Sequence, residues 1–214
     1  GINNPNALFK FPLAPQSYAG PSKLSDPLSI YDGATYADGA AALILTRREL
    51  LPANFPHPVI RLLGSSASSD ALAWHDRHDP MAFTAARKAV ETAAMQAGIL
   101  PVYADLFELD DAFTVFAALT LEACGIAPKG QSPRMAVEGH FARDGKLPIL
   151  TMGGCLGRGN PIGAKGVYQV VEAVQQLRGD AGANQVPGAR TAITLSLGGP
   201  ASTAIAHVLE RADD

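Results

Sequence analysis

The sequence predicts an α/β fold in which helices cover a mixed sheet in layers. Short apolar runs typical of buried strands alternate along the chain with amphipathic helical stretches. Glycines and prolines mark the boundaries between these segments. At 214 residues, the chain is also long enough to bury one substantial core.

The first half of the chain predicts two strands and one helix. Residues 1–37 contain closely spaced prolines and are expected to be extended chain without regular structure. Residues 40–46 form an apolar run suited to a buried strand, and a second strand is expected near residues 59–66. An amphipathic helix is expected to open at Asp79 and to end at Gly98.

The second half of the chain predicts a strand over residues 102–109, which delivers Asp110 and Asp111 to its carboxyl end. Gly198 and Gly199 separate the last two strands, which are expected to pair as an antiparallel hairpin. The remaining predicted elements are helices over residues 112–124, 135–141 and 161–178 and strands over residues 189–197 and 201–209.

A glycine-rich loop over residues 153–164 turns directly into the last predicted helix. Asn160 stands where an N-cap belongs, and Pro161 stands at the first helical position. Unpaired backbone N–H groups and the positive end of the helix dipole make such a place suited to developing negative charge. A capped helix after a turn is the simpler alternative.

Four segments of the chain resemble the thiolase superfamily, in its lipid-transfer or sterol-carrier-protein branch. The loop that begins at Gly153 is similar to the family's catalytic Gly-His-Pro-x-Gly-Ala loop, and its helix ends in the family's Gln-Leu-Arg-Gly. The segment that begins at Glu108 is similar to the branch's Glu-x-His-Asp-(Ala/Cys)-Phe box. Asp38 begins an Asp-Gly-Ala-Ala-Ala strand, and Ser196 begins the glycine-rich end of the last core strands. The resemblance covers nearly the whole chain and implies thiolase-like α/β/α layers.

The resemblance also implies a domain organisation, because a full thiolase subunit is nearly twice as long as this chain. The chain is then the C-terminal part of the subunit, and its start at Gly1 without methionine is expected of a truncated or processed product. Residues 1–37 are an extended remnant of a loop region, and residues 38–50 are a strand belonging to the N-terminal half. Residues 51–214 are the thiolase-like C-terminal domain.

Three positions depart from the family's catalytic residues. Asn160 stands where the family has the histidine of Gly-His-Pro, and Asp110 stands where the branch has the histidine of its box. Ser196 stands where biosynthetic thiolases carry a second cysteine. The family's nucleophilic cysteine lies in the N-terminal half. The resemblance therefore makes Asp110, Asn160 and Ser196 the catalytic candidates.

Each catalytic candidate has a structural alternative. A buried Asp110 carboxyl can act as a general base, whereas Asp110 and Asp111 are also typical of a helix cap. Asn160 can donate hydrogen bonds to an oxyanion but cannot take a proton at neutral pH. Ser196 can form a hydrogen bond with a substrate, and its structural alternative is that of a small residue at the end of a strand. We expect Asp110 and Asn160 to face one shared cavity.

The resemblance places four further residues near the substrate: Phe113 in the box, Gly198 and Gly199 at the end of the last core strands, and His75 at the pocket rim. The run around His75 contains two histidines and flanking aspartates. No complementary ligand set appears elsewhere in the sequence, so no metal site is predicted. Cys155, in the glycine-rich loop, is expected to be a passive thiol.

The resemblance implies an acyl-CoA acyltransferase of the acetyl-CoA acetyltransferase kind, with a coenzyme A thioester as substrate and no covalently bound cofactor. This chain alone is expected to be inactive. Two alternatives stay open, a lipid-transfer-type retro-aldolase acting on a β-hydroxyacyl-CoA and a non-catalytic acyl-CoA-binding or scaffold homologue. The implied partners are the N-terminal thiolase half, a second copy in a homodimer, and, for the aldolase, a protein of oligonucleotide/oligosaccharide fold.

Composition and charge exclude other function classes. The net charge of −3 gives no basic stripe, which argues against nucleic acid as a partner. No apolar run approaches the ~20 residues that a membrane helix needs. Cys124 and Cys155 do not make a disulfide framework, so a cytoplasmic, reducing location is expected.

Overall fold

A four-stranded mixed sheet forms the centre of the molecule in a computed structural model that describes residues 1–18 and 22–212. A small antiparallel hairpin, β1 (Lys23–Ser25) and β2 (Leu28–Ser29), precedes it. The central strands are β3 (Ile60–Ser69), β4 (Leu106–Glu108), β5 (Thr191–Gly198) and β6 (Thr203–Arg211). Their order is β3-β6-β5-β4, antiparallel except for the parallel pair β4 and β5. The predicted mixed sheet and its terminal antiparallel hairpin are confirmed.

Helices cover both faces of this sheet. The helices are α1 (Thr84–Ala97), α2 (Thr114–Ala123), α3 (Ser132–Val137), α4 (Gly154–Arg158) and α5 (Lys165–Arg178). Neighbouring strand residues point to opposite faces. Accordingly, Phe107 joins the apolar core that contains α1, whereas Leu106 joins the core that contains α5. The predicted layered α/β arrangement is confirmed.

The packing of α1 on β3 explains a glycine inside a strand. A Cβ added at Gly64 would lie 2.0 Å from the carbonyl oxygen of Ala93, which is far inside contact distance. Gly64 therefore permits the helix and the strand to approach closely. The buried alanines of α1 serve the same close packing.

Three helices begin later than the sequence predicts, and each follows a turn in which an Asp or Asn side chain accepts a hydrogen bond from the amide two residues ahead. Asp79 accepts a hydrogen bond from the Met81 amide, and α1 begins only at Thr84. A 3₁₀ turn over Ile162–Ala164 precedes α5, and α2 begins at Thr114. The predicted helix over residues 135–141 is instead α3, three residues earlier, with a proline in its first turn.

The strand predicted over residues 102–109 is shortened to β4, because a 3₁₀ turn occupies Pro101–Tyr103. The expectation that residues 1–37 lack regular structure is wrong for part of the segment. It contains β1, β2 and 3₁₀ turns at Pro15–Tyr18 and Ile30–Asp32.

Residues 40–46 carry no strand in the described chain. Ile44 is 93% exposed and Leu45 is 73% exposed. A strand needs a neighbour to pair with, and the central sheet does not extend to this segment. The assignment of residues 38–50 to an N-terminal half therefore stays a prediction.

Among the described residues, no helix is long and apolar enough to cross a membrane.

Candidate active site

A buried ion pair lies where β4 and β5 end. Asp110 follows β4, and its side chain is fully buried. Its Oδ1 accepts a hydrogen bond from the Ala112 amide at 3.1 Å, and its Oδ2 accepts one from the Leu197 amide at 3.1 Å. Lys165, the first residue of α5, forms an ion pair with the same Oδ2. The carboxylate is thus held between the strand ends and the start of a helix.

Lys165 was not among the residues predicted from the sequence. A signal was nevertheless present, because a cation in the first turn of a helix opposes the helix dipole and needs compensation. The carboxylate of Asp110 supplies that compensation. The Lys165 side chain keeps 16% of its surface exposed, whereas the Asp110 side chain has none.

Asn160 fixes the loop ahead of α5. Its Oδ1 accepts a hydrogen bond from the Ile162 amide at 3.0 Å. The N-cap of the following 3₁₀ turn is Pro161 and that of α5 is Ala164, so the prediction that Asn160 is the helix N-cap and Pro161 the first helical residue is wrong. Its backbone N–H donates to the Thr35 carbonyl at 2.8 Å, and its carbonyl accepts from the Ala37 amide at 3.0 Å. Asn160 is buried by these contacts.

Residues 33–37 connect the two loops that carry Asp110 and Asn160. The Ala34 amide donates to the Ala112 carbonyl at 2.8 Å, close to Asp110, while Thr35 and Ala37 bond Asn160. The two loops are therefore neighbours, bridged by one short segment.

Ser196 lies beside the start of α5. A Cβ added at Gly166 would lie 3.1 Å from the Ser196 Oγ. Because Gly166 follows Lys165 directly, the structure brings Ser196 to the same helix end as the ion pair. Asp110, Asn160 and Ser196 thus gather around the first turns of α5, and their catalytic roles stay predictions.

The predicted substrate-binding residues are more spread out. Phe113 is half exposed and packs edge-on against Phe116. Gly198 and Gly199 lie where β5 turns into β6. His75 is exposed in a 3₁₀ turn at Trp74–Asp76. That turn is tied to the β5–β6 connection by Arg77, whose Nη1 donates to the Pro200 carbonyl at 2.9 Å.

The prediction that Asp110 or Asp111 caps the helix after the box is wrong. The N-cap of α2 is Phe113, without a side-chain bond. Asp111 instead accepts hydrogen bonds from the Cys155 and Leu156 amides at 2.6 and 3.1 Å, which caps α4 from a distant loop. This tertiary contact joins the box to the glycine-rich loop.

A cluster of buried acidic groups supports this junction. Arg158 Nε lies 2.7 Å from Glu172 Oε1, and Glu108 Oε1 accepts hydrogen bonds from the Thr151 amide and hydroxyl at 3.0 and 2.6 Å. Burial, followed by the nearby Glu108 carboxylate, raises the pKa of Glu172 to about 8. Burial also raises the pKa of Glu108 and of Asp111. The positive charge of Arg158 therefore attracts the carboxyl groups of Glu172, Glu108 and Asp111.

Neither cysteine offers a ready thiolate. Burial raises the pKa of Cys155 to about 12, with a further contribution from the Asp111 carboxylate, and burial raises the pKa of Cys124 as well. Both are free thiols. The expectation that Cys155 is passive agrees with this environment.

A cavity of about 500 Å³ lies beside the candidate site. It is lined mainly by apolar residues of the first 35 positions and by Leu156 and Gly157 of α4. Neither Asp110 nor Asn160 lines it, so the expectation that both face a shared cavity is wrong for this space. The reason is geometric, because both side chains are turned inward to backbone donors.

Comparison with known proteins identifies the fold family. The sequence model of the family "Thiolase C-terminal domain-like" matches residues 66–211. A solved structure titled "Ltp2-ChsH2(DUF35) aldolase" superposes with a TM-score of 0.65 over 73% of this chain and 40% of that chain, at 22% identity. At that identity the likeness shows the fold alone.

Curated relatives agree with the family model. The acetyl-CoA acetyltransferase of Methanothermobacter thermautotrophicus is 35% identical over 209 residues, which are 98% of this chain and 54% of the relative. Sterol carrier protein 2 of Homo sapiens is 30% identical over 92% of this chain and 37% of the relative. The benzoylsuccinyl-CoA thiolase subunit BbsB of Thauera aromatica is 32% identical over 92% of this chain and 51% of the relative.

The chain spans about half, or less, of the length of these curated relatives. The family model covers more than half of the chain, and the curated relatives cover nearly all of it. The chain therefore belongs to the thiolase superfamily, through a thiolase C-terminal domain of the branch that includes sterol carrier protein 2.

Proposed function

We propose that this chain is the C-terminal domain of a thiolase-like acyl-CoA acyltransferase with substituted catalytic residues. The observation that carries the proposal is the meeting of the family's box and glycine-rich loop at one place, where Asp111 accepts hydrogen bonds from the Cys155 and Leu156 amides and Asp110 pairs with Lys165 at the start of the next helix. Relatives named for acetyl-CoA and benzoylsuccinyl-CoA support a coenzyme A thioester as substrate.

The nucleophile of such an acyltransferase must come from outside this chain. Acyl transfer through a covalent intermediate needs an activated thiolate, and burial holds the pKa of both Cys124 and Cys155 well above neutral. The proposal therefore assigns the nucleophilic cysteine to a thiolase-like N-terminal half. The 214 residues alone are expected to be inactive.

Residues 38–50 are the proposed contact with that N-terminal half. Ile44 and Leu45 are apolar and largely exposed, and no strand of the central sheet pairs with them. Burial of these side chains by a neighbouring strand would be favourable. The resemblance also admits a homodimer and a cytoplasmic location, which belong to the same proposal.

A retro-aldolase acting on a β-hydroxyacyl-CoA is the second candidate, and the replacement of the family's two histidines favours it. This reaction needs no acyl-enzyme. A base takes the proton of the β-hydroxyl group, the bond between the α and β carbons breaks, and a carbonyl compound and a thioester enolate result. The enolate then takes up a proton. Replacement of the family's two histidines by Asp110 and Asn160 removes the usual thiolase base while leaving donors for the enolate.

The proposed aldolase would work with a partner of oligonucleotide/oligosaccharide fold. A non-catalytic acyl-CoA-binding or scaffold subunit is the remaining alternative, because several catalytic positions are replaced together.

The test uses the complete protein, containing the N-terminal half. Thiolysis of acetoacetyl-CoA and cleavage of a β-hydroxyacyl-CoA are measured for the wild type and for Asp110→Asn. We expect one of the two activities in the wild type and a large loss in the variant. Thiolysis that survives the change removes Asp110 from the mechanism. Absence of both activities, with coenzyme A thioester binding retained, supports the scaffold instead.

A further inference from the structure

We propose that Lys165, rather than Asp110, meets the substrate, and that its ammonium group donates a hydrogen bond to the thioester oxygen as negative charge develops there. Asp110 is then a positioning residue that acts through Lys165. This inference rests on the proposed function, since it takes a coenzyme A thioester as the ligand.

The surroundings of Asp110 exclude direct contact with a substrate. Its side chain has no exposed surface, and both carboxylate oxygens already accept hydrogen bonds from backbone amides. The Oδ2 atom also holds the ammonium group of Lys165. Any further domain or partner can only add to this burial. A general base must reach the proton that it removes, and Asp110 cannot.

Lys165 has the access that Asp110 lacks. Its side chain is 16% exposed, and an ammonium group has three N–H donors, of which the contact with Asp110 engages one. The chain just ahead of it is open, because a Cβ added at Gly163 would meet no atom within 4 Å. Ile162 in the same turn is largely exposed. A ligand group can therefore approach this end of α5.

The charges at this place favour an oxyanion. The pair of Lys165 and Asp110 is neutral as a whole, while the first turn of the 14-residue helix α5 contributes the positive end of its dipole. A negative oxygen that forms beside Lys165 is attracted both by the ammonium group and by the positive end of the helix dipole. Preorganised donors of this kind lower the barrier most when the charge exists only in the transition state. An ammonium group has no free lone pair, so the Lys165 side chain can donate a hydrogen bond but cannot act as a nucleophile in this form.

Ser196 lies at the same helix start, next to Gly166. Its hydroxyl can both donate and accept a hydrogen bond. The proposed oxyanion site therefore consists of the Lys165 ammonium group, with Asp110 behind it and Ser196 beside it.

The test measures how strongly the complete protein stabilises the enolate of bound acetoacetyl-CoA. Ultraviolet absorbance follows the enolate during a pH titration, and tryptophan fluorescence follows binding. Lys165→Met is expected to reduce the bound enolate population and the turnover number by about 10²–10³-fold, the effect of losing one oxyanion donor. Lys165→Arg is expected to restore part of both, because the guanidinium keeps the charge and its donors.

Lys129→Met is the matched control. Lys129 is an exposed lysine paired with Asp79 at the surface, so its loss removes the same charge away from the site. It is expected to leave the enolate population unchanged. Thermal unfolding of each variant reports whether it folds, and Lys165→Arg keeps the test decisive where Lys165→Met does not fold.

The outcomes separate the two proposals. Binding with an enolate population that is equal in the wild type, Lys165→Met and Lys165→Arg overturns the inference and leaves the proposed function standing. A wild type that binds no acetoacetyl-CoA overturns both. A lower melting temperature with unchanged enolate per bound ligand shows a purely structural ion pair, which also overturns the inference.

Discussion

Replacement of Glu172 by glutamine should change how the stability of the chain depends on pH. Glu172 is a buried residue of α5 whose Oε1 lies 2.7 Å from Arg158 Nε, and it faces the carboxyl groups of Glu108 and Asp111. Burial raises its pKa from 4.5 to about 8. A glutamine has nearly the same shape and stays neutral at every pH, so it resembles the protonated glutamic acid.

The direction in which stability changes with pH follows from the raised pKa of Glu172. Between pH 4.5 and about 8, the folded protein holds a proton on Glu172 that the unfolded chain has lost. This stabilising contribution is complete below pH 4.5 and is lost as the pH rises through about 8. From pH 6 to pH 9, the two pKa values correspond to a fall of about 3 kcal/mol in the free energy of unfolding.

Urea unfolding of the wild type and of Glu172→Gln, at four pH values from 6 to 9, measures this contribution. At pH 6 the variant should already be more stable than the wild type by about 2 kcal/mol, and at pH 9 it should be more stable by about 5 kcal/mol. Glu91→Gln, which removes an exposed carboxylate paired with Arg87, should leave the wild-type pH dependence unchanged. Parallel pH profiles for the wild type and Glu172→Gln would refute the assignment of a raised pKa to Glu172.

Three further substitutions test the packing and the proposed contact surface. Gly64→Ala should lower the free energy of unfolding by about 1–3 kcal/mol, because its Cβ would collide with the Ala93 carbonyl; an unchanged urea midpoint contradicts the close contact. Gly154→Ala should destabilise by about 1–3 kcal/mol, since its φ is +57° and its Cβ would lie 2.2 Å from an oxygen of Asp111; retention of the wild-type melting temperature would be against this. Ile44→Lys should weaken binding of a separately expressed N-terminal half while changing the stability of this chain by less than about 0.5 kcal/mol, and unaltered binding by calorimetry argues for another contact surface.

The sequence was most informative where a structural signal is local. Gly98 ends α1 in the left-handed conformation, as predicted, because the signal lies in the residue itself. The β5–β6 hairpin was also predictable, from two apolar runs with glycines between them. Helix starts were less predictable. Asp79 and Asn160 each accept a hydrogen bond from the amide two residues ahead, but neither is the N-cap of the helix that follows, because the packing of that helix decides where it begins.

The candidate site was only half predictable for the same reason. The motifs indicated Asp110 and Asn160, and both lie in neighbouring loops. The partner Lys165 was missed, because an ion pair between residues far apart in sequence depends on how α5 packs against the strand ends. The hydrogen bonds between Asp111 and α4 also join residues far apart in sequence, and they were not predicted because a local helix cap is the simplest interpretation of two adjacent aspartates.

A structure of the complete protein with bound acetoacetyl-CoA would show directly whether Lys165 contacts the thioester. We predict that the thioester oxygen lies within about 3 Å of the Lys165 Nζ atom, with Asp110 behind that nitrogen and out of contact with the ligand. A thioester seated away from the start of α5, or in direct contact with the Asp110 carboxylate, would contradict it.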